Sequence, residues 1–488
     1  MNRRTIHLAS LLALACCGVP ANELPDLGDS ALANLPPHEE RRIADLTTRE
    51  LRRSGAVLSD VEIADYLQRL GYKLVAASND NRVNFRFFPI DDGAINAWAV
   101  PGGVIGVNGG LIVLTQHESE LAAVMAHEIA HVTQHHYARM LESQKGSGLM
   151  SLGALALAIL AASRSSTGDA PMAAIAATEG YQAQRYLDFS RDFEREADRV
   201  GMQTLSSAGF DVRAMPTFFD RMQKYYRNVD NGAFAFLRTH PVTGERISDS
   251  EARAAQQPYK QWTDSMDYLL VREKARTLQL GNRGAIDYYR GTTEQKKYAS
   301  EAAQQYGYAY ACLLASQYEE AWKHLELARK ALPAGHPMLE SLAGNIRNQQ
   351  GKYEEATQIY QAALQRYPSA PALGYGPIDV LLRQGSAKEA VAQIEKALGE
   401  RPSDPELHKR LAEGYEKLNQ AGPAHRAMAE YYALIDEPTA AIEQLNVARR
   451  SGGDFYQLSA IEARIRELRD RIPLDKNGKP IKDRDDGR

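Results

Sequence analysis

The chain has 488 residues, with 58 Lys and Arg against 62 Asp and Glu, for a formal net charge of −4. Its 44% hydrophobic and 25% charged fractions are ordinary for globular proteins, and the length suits about two to four domains. A disordered chain, a collagen-like chain and a small disulfide scaffold are excluded, and the absence of a long basic run argues against nucleic-acid binding.

Arg3 and Arg4, the apolar run over 8–17 and the small residues Val19 and Ala21 read as an export signal cleaved after Ala21. The run is too short to span a bilayer. Residues 1–21 are therefore expected to be a signal peptide that delivers the chain to the periplasm of a Gram-negative bacterium. Ala13-Leu14-Ala15-Cys16 also offers a lipoprotein box, with Ala where Leu is usual, and Arg3-Arg4 a twin-arginine signal. Removal leaves Cys312 as the single cysteine, which permits no internal disulfide.

Past a proline-punctuated lead-in, residues 38–54 have helical charge spacing. Residues 60–78 carry an apolar stripe of Ile63, Tyr66, Leu67, Leu70 and Leu74. Both predict amphipathic helices. Residues 84–90 alternate and are aromatic, which suits a strand, and 95–100 and 104–107 continue the β signal around Pro101-Gly102-Gly103. Gly109-Gly110 should close this small sheet, and a helix is expected over 118–140. An apolar run over 149–162 is too short for a membrane span. It suits a buried helix or a peripheral membrane contact, and residues 164–169 after it suit a mobile loop or lid. Residues 22–262 thus predict an α+β domain.

From residue 263 the strand signal fades and a period appears. Tyr318-Glu319-Glu320-Ala321 recurs as Tyr353-Glu354-Glu355-Ala356, and Ala390 and Ala424 follow at steps of 34. Leu325, Tyr360, Ile394 and Met428 recur four residues after each Ala, and Pro333, Pro368 and Pro402 twelve after the first three. Gly344 sits twelve before Ala356, where a small residue lets two helices touch. This is the tetratricopeptide pattern, so residues 263–470 predict an all-α solenoid. Ala441 comes only half a repeat after Ala424, which suggests a capping hairpin. The charged stretch 471–488 is expected to be a disordered tail.

The chemistry sits in His127-Glu128-Ile129-Ala130-His131. Two His at i and i+4 share one helical face and can reach one metal ion, while Glu128 can take a proton from water at that ion. Ala123, Val124, Ala126, Ala130 and Val132 make the helix apolar, and buried His and Glu there are costly unless paired. A catalytic zinc takes a third protein ligand. Downstream, Glu194 and Asp198 share a face at i, i+4, which suggests Glu194 on the metal and Asp198 orienting a ligand imidazole. Spacing leaves Glu196 open as the ligand. His135 and His136 read as polar residues continuing the same helix.

These residues carry a resemblance. His127-Glu128-x-x-His131 with Glu194-x-x-Ala197-Asp198 resembles the HtpX/CAAX-prenyl-protease family of zinc metallopeptidases. Asn96-Ala97 before Pro101-Gly102-Gly103, Glu118-Ser119-Glu120-Leu121, and Thr239-His240-Pro241 with Arg246 match as well. With a signal peptide and C-terminal repeats, the chain is similar to the periplasmic BepA-type members. The resemblance implies a zincin-type α+β peptidase domain holding one Zn2+ per chain through His127, His131 and Glu194. It also implies Glu128 as general base, Asp198 supporting a ligand, and His240 near the metal, as an oxyanion donor or a resting fourth ligand; Arg246 would orient His240 or bind a carbonyl. The implied work is quality control of outer-membrane β-barrel proteins, with unfolded or misassembled barrel proteins and their assembly machinery as partners. An adaptor acting mainly through its repeats, with latent proteolysis, is the other class of function this organisation allows.

Overall fold

The computed structural model describes residues 35–78, 82–143, 191–228, 236, 240–258 and 261–472. The signal peptide, the 149–162 run, the 164–169 stretch, Thr239 and nearly all of the tail lie outside the described residues.

Helix α1 (Pro37–Arg53) opens on a proline at its first position, where the missing N–H costs nothing. Helix α2 (Val61–Ala76) is capped by Asp60, whose carboxylate accepts from the Glu62 and Ile63 N–H groups. Its stripe Ile63, Tyr66, Leu67, Leu70 and Leu74 is buried, as the spacing predicts. Strands β1 (Arg86–Ile90), β2 (Ala97–Val100) and β3 (Val104–Asn108) form a sheet in the order β1-β3-β2. β1 runs parallel to β3, and β2 antiparallel to it. Among the described residues β2 is therefore an outer strand.

Two local expectations change. Gly109-Gly110 does not simply end the sheet but starts a short helix, α3 (Gly109–Leu114). The helix expected over 118–140 breaks into α4 (Glu118–Thr133) and α5 (His136–Ser143). His135, between them, adopts φ 50°, a left-handed conformation that ends a right-handed helix.

Helices α6 (Arg191–Ser207), α7 (Ala214–Asn228) and α8 (Gly244–Ala255) complete the peptidase half. The array begins with α9 (Met266–Glu294), which breaks at Gly281, φ 67°. Antiparallel helices follow: α10 (Glu301–Leu314), α11 (Tyr318–Ala331), α12 (Pro337–Gln349), α13 (Tyr353–Arg366), α14 (Pro371–Gln384), α15 (Ala387–Glu400), α16 (Pro405–Lys417), α17 (Ala421–Leu434), α18 (Pro438–Arg450) and α19 (Phe455–Asp470). Ala321, Ala356, Ala390 and Ala424 each stand fourth in α11, α13, α15 and α17 and are buried, which explains the period. A Cβ on Gly344 would lie 2.4 Å from the Tyr360 ring, so only glycine lets that ring cross. Ala441, again fourth in its helix, shares a small core with Ile461, Ile465 and Leu468, closing the array with α18 and α19.

The change of pattern near residue 263 does not separate two cores. One continuous cluster runs from Ile63 and the sheet through Tyr268, Leu270 and Val271 of α9 to Ile346 of α12. Val61 packs against a second cluster built from α14, α15, α16 and α17. The junction also supports α4 directly. Its N-cap residue His117 makes no side-chain cap, and instead Asp264 Oδ1 accepts from the Glu118 N–H at 2.7 Å. The Glu118 carboxylate in turn accepts from the Ser265 N–H and hydroxyl.

Candidate metal centre

α4 is buried on every side, which is why its sequence lacks a polar face. It lies among β2, α2, α6 and α7. Gly201 allows the closest approach, since a Cβ there would stand 3.2 Å from the His127 backbone nitrogen. Glu194, Asp198 and Gly201 recur at i, i+4 and i+7, so the face of α6 that touches α4 is the one that carries both carboxylates.

One ligand atom each from His127, His131, Glu194 and His240 gathers within 4.8 Å of the others. His127 Nε2 lies 3.0 Å from His131 Nε2 and 3.5 Å from Glu194 Oε2. His131 Nε2 is 3.4 Å from Glu194 Oε1. His240 Nδ1 completes the group at 3.3 Å from His127 Nε2 and 3.0 Å from Glu194 Oε1. A tetrahedral ion with bonds of about 2.0–2.1 Å holds its ligand atoms about 3.3 Å apart, so nitrogen and carboxylate donors at these separations fit zinc. All four side chains are at most 2–3% exposed, which leaves them little other means of satisfying their polarity.

The surroundings set the charges. Burial alone would raise the Glu194 carboxyl, but His240, His127 and His131 hold it well below its usual range. Asp198 is likewise held down against burial by Arg246 and His127. The two motif imidazoles are driven apart. Burial lowers His131 to about 3, whereas for His127 Asp198 and Glu194 outweigh burial and hold it up to about 9. A cation at the cluster must displace that proton, since a ligand imidazole is neutral. Burial raises the Glu128 carboxyl, with His240 and His127 opposing. Its Oε1 lies 3.4 Å from His240 Nε2.

Asp198 stands behind the cluster, its Oδ1 2.9 Å from His127 Nδ1. Arg246, in the first turn of α8, does bind a carbonyl beside His240, but most of its guanidinium goes to two carboxylates. Its Nε and Nη2 donate to both Asp198 oxygens at 2.7 Å, and its Nη1 lies 2.8 Å from Glu194 Oε2. Nη1 also donates to the Pro241 carbonyl, tying down the His240 loop, while Phe219 covers the guanidinium. Glu196, left open by spacing, sits outside the cluster on Arg139 at 2.8 Å. The residue that sequence reading missed is His136. It is fully buried with its Nδ1 2.8 Å from His131 Nδ1, and only the break at His135 puts it there.

β2 packs against α4, the helix that carries the motif. Asn96 C=O accepts from Asn108 N–H, so the alternating ladder turns the Ala97 N–H and C=O to the outer edge. Ala99 C=O, also turned outward, accepts from the Tyr137 hydroxyl at 2.6 Å.

Residues 63–254 match Peptidase family M48, and residues 348–414 match a tetratricopeptide repeat family. A putative beta-barrel assembly-enhancing protease of Vibrio cholerae is 34% identical over 84% of this chain and 85% of that protein. The beta-barrel assembly-enhancing protease of Escherichia coli is 33% identical over 92% of each. The mitochondrial metalloendopeptidase OMA1 of Schizosaccharomyces pombe is 30% identical over 38% of this chain and 51% of that one. With its HExxH helix, its α+β module and its repeats, the chain belongs to peptidase family M48 as a metalloendopeptidase of the beta-barrel assembly-enhancing type.

Proposed function

We propose that this metalloendopeptidase uses one zinc ion per chain, held by His127, His131 and Glu194, with Glu128 as general base. The observation that carries the reading is the convergence of four buried ligand atoms at separations near those of a tetrahedral site. When bound, zinc supplies Lewis acidity that polarises the scissile carbonyl and acidifies water. Glu128 takes the proton of the attacking water and passes it to the leaving amine. Its burial lifts its pKa in the direction that favours such exchange near neutral pH. Asp198, clamped by Arg246, holds the His127 ring by Nδ1. Substrate backbone pairs with the outer edge of β2, where Ala97 presents one N–H and one C=O.

A catalytic zinc site keeps one position open, whereas His240 brings a fourth protein donor into the group. At rest His240 closes the site, and a substrate must displace it. Proteolysis is then latent until something engages the enzyme, which reconciles the protease with an adaptor-like role for the repeats.

We place this work in the periplasm, after removal of residues 1–21, on outer-membrane β-barrel proteins that are unfolded or misassembled. The names of the Vibrio and Escherichia relatives support a role in β-barrel assembly, and this reading assigns the barrel assembly machinery as the partner. Among the described residues no helix is long and apolar enough to cross a membrane. The architecture changes from peptidase (22–262) to repeats (263–470) without a division into independent cores.

Metal analysis and proteolysis of variants test the reading together. Glu128→Gln should keep one zinc per chain and lose about 10²–10⁴-fold in cleavage rate. Glu194→Gln should lose zinc. Cleavage by Glu128→Gln near the parent rate would sink the assigned base, and full zinc retention by Glu194→Gln the third ligand.

A further inference from the structure

The two imidazoles of the motif are supported in different ways. Behind His127 stands a carboxylate, Asp198, itself held by Arg246. Behind His131 stands another imidazole. His136 Nδ1 lies 2.8 Å from His131 Nδ1, and His136 Nε2 lies 3.4 Å from Glu196 Oε2. Arg139 fixes Glu196 at 2.8 Å and also covers the Phe193 ring, on which His136 stacks at 4.8 Å. The chain His131–His136–Glu196–Arg139 thus parallels His127–Asp198–Arg246, with a neutral ring in the carboxylate's place.

This placement is built by the backbone. Five residues along a continuous helix would put His136 about 140° around from His131. Instead α4 stops at Thr133, His135 takes its left-handed turn beside Glu40 at 3.5 Å, and α5 restarts on His136. A left-handed non-glycine residue costs about 1–2 kcal/mol, so the turn is an unfavourable local choice kept by its surroundings.

We propose that His136 is a positioning residue that fixes the tautomer and ring orientation of His131. The inference rests on the reading of His131 as a zinc ligand through Nε2. A ligand Nε2 must present its lone pair, so the His131 proton sits on Nδ1 and is donated to His136 Nδ1. The proton of His136 then sits on Nε2, facing Glu196. The reverse arrangement, with His136 donating from Nδ1, moves the His131 proton to Nε2 and blocks the metal. Glu196, by accepting at His136 Nε2, selects the productive arrangement.

The test is zinc affinity, measured by competition with a chelator on the full chain, for three substitutions at His136. An Asn amide can place an acceptor where Nδ1 stands, whereas the longer Gln places it near Nε2. His136→Ala and His136→Gln should each weaken zinc binding about 10–100-fold, with His136→Asn within a few-fold of the parent. Parental affinity in His136→Ala overturns the proposal. So does equal loss in Asn and Gln, which would mean that the ring only fills space. Should the Ala variant not fold, the Asn and Gln pair decides. His131→Ala in the same assay separates the two readings. If it keeps parental affinity, the ligand assignment itself fails; if it loses zinc while His136→Ala does not, only the role of His136 fails.

Discussion

Arg49 of the first helix pairs with Asp436, 387 positions later, in the turn between α17 and α18. Arg52 Nη1 donates to the carbonyl of Leu434, the last residue of α17, and Arg471 Nη2 donates to Asp436 Oδ1 at 2.8 Å. The far end of the repeat array is therefore tied back to the start of the peptidase half. A module with its own core would need no such tie. This one shares its core with the array at one end and an ionic contact at the other.

Asp436→Ala leaves Arg49 and Arg471, both partly buried, without their common carboxylate. The expected cost is about 1–3 kcal/mol. It should appear as faster amide exchange in α1 and in the α17–α18 turn, with zinc content unchanged. Unchanged exchange in α1 would show that the contact does not hold the array closed.

Truncation at residue 262 should not yield a stable peptidase. It removes Asp264, which caps α4, and the buried Tyr268, Leu270 and Val271 that complete the core. A chain ending at residue 281, where α9 breaks, keeps all four residues and should be more soluble and zinc-loaded. A monomeric, zinc-loaded product from the shorter cut contradicts this, and limited proteolysis with metal analysis compares the two.

His240→Ala should speed breakdown of an unstructured model protein severalfold while zinc stays bound, because it opens the fourth corner of the cluster. Loss of activity with metal retained would instead make His240 a donor to the developing oxyanion.

A fourth expectation concerns acid. Asp267 is hydrogen-bonded by His336 Nε2 at 2.9 Å and Arg69 Nη1 at 2.8 Å, joining α9 to α2 and to the start of α12. The His336 contact, with Arg69 and against burial, lowers its pKa to about 2. A depressed carboxyl stabilises the fold above its unfolded value, about 3.9, and that contribution is lost as pH falls through about 2. Asp267→Asn should therefore lower the thermal midpoint at pH 7 and change it little at pH 2. An equal shift at both pH values would show that the contact is not electrostatic.

Features that depend on near neighbours are legible in the residues alone. The HExxH pair follows from the helical turn, the α2 stripe from its period, and the buried Ala of α11, α13, α15 and α17 from the 34-residue repeat. Glu194 and Asp198 were legible as one face of α6 for the same reason. Contacts between distant segments set the rest. Glu194 rather than Glu196 enters the cluster because Gly201 sets which face of α6 meets α4. Arg246 spans Asp198, Glu194 and the Pro241 carbonyl at once, because charge-assisted bonds to two buried carboxylates draw the guanidinium inward. His136 reaches His131 only through a left-handed residue that helical periodicity gives no reason to expect. The shared core across residue 263 was hidden because periodicity reports how a segment folds locally, while burial depends on what is packed against it.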